Sequence, residues 1–411
     1  MTVPEGATTA VPAPESPGGR ERAAEPLALA ARAAWARGDA ATLTRIGRNL
    51  FRLADPGMSL TGTARSGGLG ATQALAREVL ALGDLAAGRL AARPSAMVLP
   101  WASDPTLWLP PRLVPELLGE DLDTYKRAAG LLEQLRSDAG GDAASGSGPD
   151  GRGLAATLEQ LASSAVALGQ WPAATRYAGE GLARARLDGR PVEAASLLAL
   201  LAWTAGARGR ALECRRLAAQ AMAIATPRSC TLVTAMIKWA QGLLDLSLGQ
   251  PARALDRMAP LASSGGSTPV LLLATADLVD AAVRAGRPAA AEPLLAQLDR
   301  WVELAGPAWA LADAFHCRAL LSGGSEARLC FQAALDAGGV PRPFAHARVQ
   351  LDYGTWLRRC RRFTEARRHL RAALDTFRRL EASSWAERAW TELLASGAGA
   401  SLPASDRLPA V

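Results

Sequence analysis

Few residue sets in this chain have the types and spacing that chemistry requires. Residues 146–151 match the string GxGxxG, but no predicted strand precedes them and a proline lies inside, so a flexible linker is favoured over a dinucleotide fingerprint. Residues 67–70 are glycine-rich and precede a predicted helix, whose N-terminal N–H groups could hold an anion. No lysine follows at P-loop spacing, however, so a plain loop is favoured and no nucleotide-hydrolysis site is predicted.

Motifs for nucleophilic or metal-assisted catalysis are also missing from the sequence. There is no GxSxG, no HExxH and no cluster of Cys and His at metal-ligand spacing, and the three histidines are scattered. We therefore expect a protein that is not an enzyme, with no catalytic residues, no metal and no cofactor.

The cellular setting is predicted from the cysteines and the apolar segments. The five cysteines form no CxxC pair and fall in predicted helices, as buried thiols of a reducing compartment do. The first 24 residues lack a charged segment followed by an apolar one, and the apolar run at 197–203 is too short to span a bilayer. We expect a cytoplasmic protein without membrane attachment.

The elements that would position any site repeat at a regular interval. A small residue stands five positions after each of six predicted helix-ending turns, at Ala174, Cys214, Ala254, Ala291, Ala327 and Ala366. Intervals of 36–40 residues are typical of stacked helical hairpins, which bury their apolar faces only against their neighbours. Since Ala and Leu dominate the apolar residues, helix is strongly favoured over strand. The predicted fold is all-α, a tetratricopeptide-like right-handed superhelical solenoid of helical hairpins.

Composition divides the chain into five predicted segments. Residues 1–24 are rich in Pro, Ala and Gly and predict a disordered lead, whereas 25–137 predict an N-terminal helical region of degenerate repeats. Gly- and Ser-rich residues 138–153 predict a flexible loop. Tetratricopeptide-like repeats are expected over 154–397, followed by a disordered tail over 398–411.

In superhelical stacks of this kind, the first helix of each hairpin lines a concave groove. Its inward positions carry aromatic rings beside polar groups, which suit a small ligand or an extended peptide. The candidate groove residues are Trp203, Trp239, Asp280, Arg284, Trp309, His316, Arg348, Arg358 and Arg359. Asp277, Asp313 and Asp352 also share one position, nine residues before the turn, in three successive hairpins. The alternative is that the tryptophans only pack between repeats and the aspartates are solvated.

Positive charge is concentrated near the C-terminus. The formal net charge is +7, and residues 341–380 hold eleven Arg against three acidic residues, a local balance of +8. Nucleic-acid contact would need such a face, but no recognition helix, RNA-stacking motif or zinc finger accompanies it. A solvated or partner-facing surface is therefore favoured over direct nucleic-acid binding.

The C-terminal repeats carry a family resemblance. Residues 342–397, RPFAHARVQLDYGTWLRRCRRFTEARRHLRAALDTFRRLEASSWAERAWTELLASG, closely resemble the end of the helical-repeat region of large ATP-binding regulators of the LuxR family. Weaker similarity extends upstream through DLVDAAVRAGRP and WAQGLLDLSLGQPARAL to about residue 70. That family places a P-loop ATPase before the repeats and a DNA-binding helix-turn-helix after them, and this sequence shows neither. The resemblance implies the repeat arm and a role in transcriptional control, without ATP hydrolysis or operator binding.

These observations predict a non-enzymatic interaction and sensor module that binds a protein partner or a small effector in its concave groove. The first alternative is a DNA-associated regulator that uses the C-terminal arginine face, whose binding would weaken steeply with salt. The second alternative is an accessory protein or enzyme of a biosynthetic pathway that uses the groove for catalysis.

Overall fold

The computed structural model describes residues 17–54, 71–91, 94, 113–141, 151–263, 265–337 and 342–397. Within these residues the protein has nineteen α-helices, a few short 3-10 segments and no strand. The predicted all-α fold of helical hairpins is confirmed. None of the described helices combines the length and the apolar character that crossing a bilayer requires.

The helices form an N-terminal group and a repeat stack. The N-terminal group comprises α1 (Pro17–Arg37), α2 (Ala40–Ala54), α3 (Ala71–Ala86), α4 (Val114–Leu118) and α5 (Asp121–Gly141). The stack comprises α6 (Gly151–Ala167), α7 (Trp171–Leu187), α8 (Pro191–Ala207), α9 (Ala211–Ala225), α10 (Thr231–Ser247), α11 (Pro251–Met258), α12 (Pro260–Ser263), α13 (Thr268–Arg284), α14 (Glu292–Ala305), α15 (Ala308–Leu321), α16 (Gly324–Asp336), α17 (Pro343–Arg359), α18 (Phe363–Arg379) and α19 (Ser383–Ala395).

Six hairpins make up the described stack: α6–α7, α8–α9, α10–α11, α13–α14, α15–α16 and α17–α18. Gly169, Gly209, Gly249 and Gly286 lie in the turns after four of the first helices, with φ angles of 71–78°. This left-handed backbone ends a helix, and glycine adopts it without steric cost. The turns predicted at these glycines are confirmed.

Close helix packing within the hairpins depends on residues without a long side chain. A Cβ atom on Gly242 of α10 would lie 2.4 Å from Met258 of α11, and one on Gly354 of α17 would lie 2.7 Å from Leu370 of α18. Both distances are shorter than atoms tolerate, so each hairpin is packed tightly enough to hold its first helix in a defined position.

The stack closes on itself. Trp171 at the start of α7 packs against Phe344 at the start of α17, with ring centroids 5.3 Å apart. The side chain of Arg210 donates to a carboxylate oxygen of Glu381 at 2.9 Å, although the two residues are 171 positions apart. Because the last hairpin and α19 meet the first two hairpins, the first helices of the hairpins surround a common interior.

The helix α4 occupies part of that interior. All five of its residues are buried. The carbonyl of Leu117 accepts hydrogen bonds from the indole N–H groups of Trp301 on α14, at 3.3 Å, and Trp309 on α15, at 3.1 Å. Of the N-terminal helices, α1 packs against α10 and α3 packs against α13.

Helices extend past two of the predicted segment boundaries. The helix α1 begins at Pro17, so residues 17–24 of the expected disordered lead are helical. Proline suits the first position of a helix because its missing N–H would have no partner there. The helices α5 and α6 extend into the predicted loop, so that only residues 142–150 of that loop lie outside them. Residues 142–150 are not among the described residues, nor are 1–16 and 398–411.

Candidate functional site: the central cavity

The first helices of all six hairpins, together with α4, surround a cavity of about 130 Å³, here called the central cavity. Its aromatic lining comes from Trp203 on α8, Trp239 on α10 and Phe344 on α17. The polar side chains that line it are Glu116, Ser163, Asp277, Asp313, His316, Arg342 and Arg348. Cavities of roughly 150 Å³ hold a molecule the size of benzene, so the volume suits a small organic ligand.

The aromatic wall leaves one hydrogen-bond donor unused. The rings of Trp203 and Trp239 lie 5.5 Å apart edge to face, and those of Trp203 and Phe344 lie 6.0 Å apart. The indole N–H of Trp239 donates to Asp277 Oδ2 at 2.6 Å. Trp203 is only 9% exposed, yet no acceptor among the described residues lies within reach of its Nε1. Because buried N–H groups are normally paired, this donor is a candidate ligand contact.

An arginine and two aspartates form the first charged part of the lining. The guanidinium of Arg348 donates through Nη1 to Asp277 Oδ1 and through Nη2 to Asp280 Oδ2, the latter at 3.2 Å. Burial alone would lower the pKa of Arg348, but the two adjacent carboxylates raise the pKa above its usual value. The guanidinium also lies over the ring of Trp385, 4.9 Å from the centroid. This arginine therefore stays charged and ties α17 to α13 and α19.

A second charged cluster is centred on Asp352 of α17. Its Oδ2 lies 3.1 Å from Nε2 of His316 on α15, and its Oδ1 accepts from Nη2 of Arg388 on α19 at 2.9 Å. Burial alone would raise the pKa of Asp352. The positive charge of Arg388 and the hydrogen bond to His316 outweigh burial and hold the pKa well below its usual value. Asp352 is therefore an ionised, fully engaged carboxylate.

Asp313 of α15 has the opposite environment. It lines the central cavity, and no donor among the described residues lies within hydrogen-bond distance of its carboxylate. Burial raises the pKa of Asp313 to about 6, against the opposing influence of His316 and Arg342. Asp313 also lines an adjoining surface groove of about 370 Å³, formed by residues of α15 to α18 that include Trp309, Arg342 and Arg379. It is thus a carboxylate open to a ligand, at the boundary between cavity and groove.

The helix α4 supplies the remaining polar wall. Glu116 accepts a hydrogen bond from Ser163 of α6, and its backbone carbonyl accepts from Arg342. Arg342 also donates to Asp121 Oδ2 at 3.0 Å and lies over the ring of Trp309, 4.7 Å from the centroid. Burial and the neighbouring Asp121 raise the pKa of Glu116, which favours its neutral form. Because Arg342 contacts Glu116, Asp121 and Trp309, its guanidinium is engaged within the protein.

The structure brings together only part of the predicted groove. Trp203, Trp239, His316 and Arg348 line the central cavity, whereas Asp280, Arg284, Trp309, Arg358 and Arg359 do not.

The five residues outside the cavity have other positions. Asp280 accepts one hydrogen bond from Arg348 and another from Arg284, the latter at 3.3 Å. Trp309 lines the surface groove and anchors α4. Arg358 pairs with Glu392 at 2.6 Å because α19 packs against the end of α17, and Arg359 is exposed. Both arginines lie at the end of α17 that is away from Phe344, so they do not line the central cavity.

Sequence reasoning missed several residues of the lining. Asp277 and Asp313 were singled out by their shared position in the hairpin but were not included among the groove residues. No sequence pattern marks the other three. Glu116 lies on α4, and a helix of five residues is too short to show a periodic pattern. Arg342 and Phe344 lie at the start of α17, before the inward positions predicted for that helix.

Comparison with known proteins adds no argument about function. No protein-family model matches the chain, and no curated protein matches it. One solved structure that matches is a circular tandem repeat protein with novel repeat topology and enhanced subunit contact surfaces. It is 14% identical, over 93% of this chain and 98% of that chain, with a TM-score of 0.19. A TM-score this low supports no argument about this chain, so the assignment of the fold depends on the helices described above.

Proposed function

We propose that this chain is a non-enzymatic sensor module of a LuxR-type transcriptional regulator and that it binds a small effector in the central cavity. The observation that carries the proposal is the central cavity itself, which is enclosed by the first helices of all six hairpins and lined by aromatic and polar side chains, among them Trp203, whose buried indole N–H has no acceptor among the described residues. The resemblance of residues 342–397 to the repeat arm of LuxR-type regulators supplies the regulatory context.

A small effector is favoured over a peptide in the interior. Contacts such as Trp171 with Phe344 close the stack, and α4 already fills part of the space that an extended chain would need. A cavity of about 130 Å³ holds a molecule of few heavy atoms. A protein partner would then contact the outer surface.

Binding is also favoured over catalysis. Two of the side chains that could transfer protons in the cavity are engaged within the protein: His316 with Asp352, and Asp277 with Arg348. Asp313 is open, but no hydroxyl or thiol nucleophile among the described residues is hydrogen-bonded to it. Catalysis would need a general base within reach of a substrate proton or of a nucleophile. The alternative of catalysis in the groove therefore has no supporting geometry among the described residues.

The proposal is tested by thermal unfolding with a panel of fragment-sized cations, anions and neutral aromatics. Ala276 lines the cavity, so Ala276→Leu fills it, while Ala372→Leu adds the same atoms at an exposed position of α18. A ligand at about 100 times its Kd contributes about 2.7 kcal/mol, which raises Tm by a few degrees. We expect at least one compound to raise the Tm of the wild type and of Ala372→Leu but not of Ala276→Leu. Equal shifts in all three proteins, or no shift in any, would contradict the proposal.

A second candidate function is direct DNA contact through the C-terminal arginine face. Arg359, Arg361, Arg368 and Arg371 are exposed, and none of them forms an ion pair with a described residue. Such a face predicts DNA binding with little sequence preference and a steep salt dependence. Gel-shift titration at low salt tests it: retention that is lost when these four residues are changed to Gln supports contact, and no retention by the wild type excludes it.

A further inference from the structure

The charges around the central cavity are unevenly matched. Three carboxylates line it. Both oxygens of Asp277 are engaged, with Arg348 and Trp239, whereas Glu116 accepts from Ser163 through one oxygen and its other oxygen has no partner among the described residues. The two arginines of the lining are also engaged, Arg348 with Asp277 and Asp280 and Arg342 with Asp121. Asp313 is left as a carboxylate without a partner among the described residues.

This imbalance selects for the charge of a ligand. An anionic ligand would be repelled by Asp313, and a neutral one would bury that carboxylate further without pairing it, which is costly. An ammonium group supplies both the opposite charge and N–H donors, and hydrogen bonds between such ions are the strong ones.

The remaining lining suits the body of such a molecule. Trp203, Trp239 and Phe344 present aromatic surface, and Leu200, Met236 and Leu273 add apolar surface. Aromatic faces also attract cations directly. A volume of about 130 Å³ admits a body of roughly the size of one benzene ring.

We infer that the effector of the central cavity is a small organic amine, whose ammonium group binds Asp313 and whose apolar body packs between Trp203, Trp239 and Phe344. This inference rests on the proposed function, since it names the ligand class of the same cavity. It assigns Asp313 as the residue that determines specificity for positive charge.

Three molecules of nearly equal size isolate the charge: benzylamine, benzyl alcohol and benzoate. Their binding is measured by isothermal titration calorimetry at pH 7.5 to the wild type, to Asp313→Asn and to Ala276→Leu. Asp123→Asn is the matched control, because Asp123 is exposed on α5. Circular dichroism and Tm of each variant show that it folds.

We expect benzylamine to bind the wild type and Asp123→Asn equally, with an affinity that falls about tenfold to a hundredfold in Asp313→Asn. Benzyl alcohol should bind the wild type more weakly than benzylamine does, and should bind Asp313→Asn at least as tightly as the wild type. Benzoate should not bind, and Ala276→Leu should bind none of the three.

The outcomes separate this inference from the proposed function. If benzyl alcohol or benzoate binds as tightly as benzylamine and is lost in Ala276→Leu, the cavity is a ligand site but the inference of an amine is overturned. Benzylamine binding that is unchanged in Asp313→Asn also overturns it. If benzylamine does not bind the wild type, the inference fails, and the fragment panel with Ala276→Leu decides the proposed function separately.

Discussion

Asp352 and Asp313 occupy the same position in neighbouring hairpins, nine residues before the turn, but have opposite surroundings. Asp352 is held by His316 and Arg388, which keep its pKa low. Asp313 has no such partner, and burial raises its pKa to about 6. The repeat register therefore decides which face a side chain occupies, whereas partners from other hairpins decide its charge. One carboxylate stabilises the fold and the other is left for a ligand.

Removing the arginine that engages the neighbouring aspartates should have the largest effect. Arg348→Met leaves Asp277 and Asp280 buried without their shared cation, and breaking a buried ion pair costs about 3–5 kcal/mol. The free energy of unfolding in urea, followed by circular dichroism, measures the loss. Arg359→Met is the matched control, since Arg359 is exposed, and should change stability by less than about 0.5 kcal/mol. A loss below about 1 kcal/mol in Arg348→Met would show that the cluster is not stabilising.

Neutralising the engaged aspartate should have the next largest effect. Asp352→Asn removes the charge that pairs with Arg388 and should cost about 2–3 kcal/mol at pH 7. Since the folded-state pKa of Asp352 lies below its usual value of 3.8, its contribution is present above pH 4 and is lost as the pH falls further. The stability difference between wild type and variant should therefore shrink between pH 5 and pH 2. A difference independent of pH would contradict the ion pair.

Neutralising the unpaired aspartate should have the opposite sign. Burial disfavours ionised Asp313, so Asp313→Asn should leave the protein equally stable at pH 7.5 or more stable by up to about 2 kcal/mol, because partial exposure reduces the penalty. The folded-state pKa of about 6 lies above the usual 3.8, so the wild-type penalty is present above pH 6 and is absent below pH 4. The advantage of the variant should disappear over that range. A clear loss of stability in Asp313→Asn would show that the ionised carboxylate makes a favourable interaction, and would contradict the conclusion that it is unpaired.

The smallest expected effect is the pH dependence of amine binding. Protonation of Asp313 removes the charge that binds an ammonium group, so benzylamine affinity should fall about tenfold between pH 7 and pH 5. Benzyl alcohol is the control and should show no such fall in affinity. The other charged groups that interact with Asp313 are Asp277, His316, Arg342 and Arg348. Calorimetry with Asp313→Asn isolates the contribution of Asp313, since a pH dependence that persists in this variant belongs to a different titrating group.

Local patterns in the sequence predicted much of the fold and part of the site. The turn glycines such as Gly169 and Gly286 were predicted because a helix end favours a residue that adopts positive φ. Trp203, Trp239, His316 and Arg348 were placed inward because a helix repeats its faces every 3.6 residues. Composition also misled at one end, where Pro17 begins a helix inside the expected disordered lead.

The all-α hairpins, their period and the common register of Asp277, Asp313 and Asp352 could thus be predicted from residue types, since these features depend on residues that are close along the chain. The closure of the stack, the entry of α4 and the contact of Arg342 with Asp121, 221 positions away, are visible only in the folded chain. The tertiary structure also decided which aspartate has a partner. Contacts between such distant residues depend on how small rotations between successive hairpins add up, and no local pattern of residue types encodes that sum.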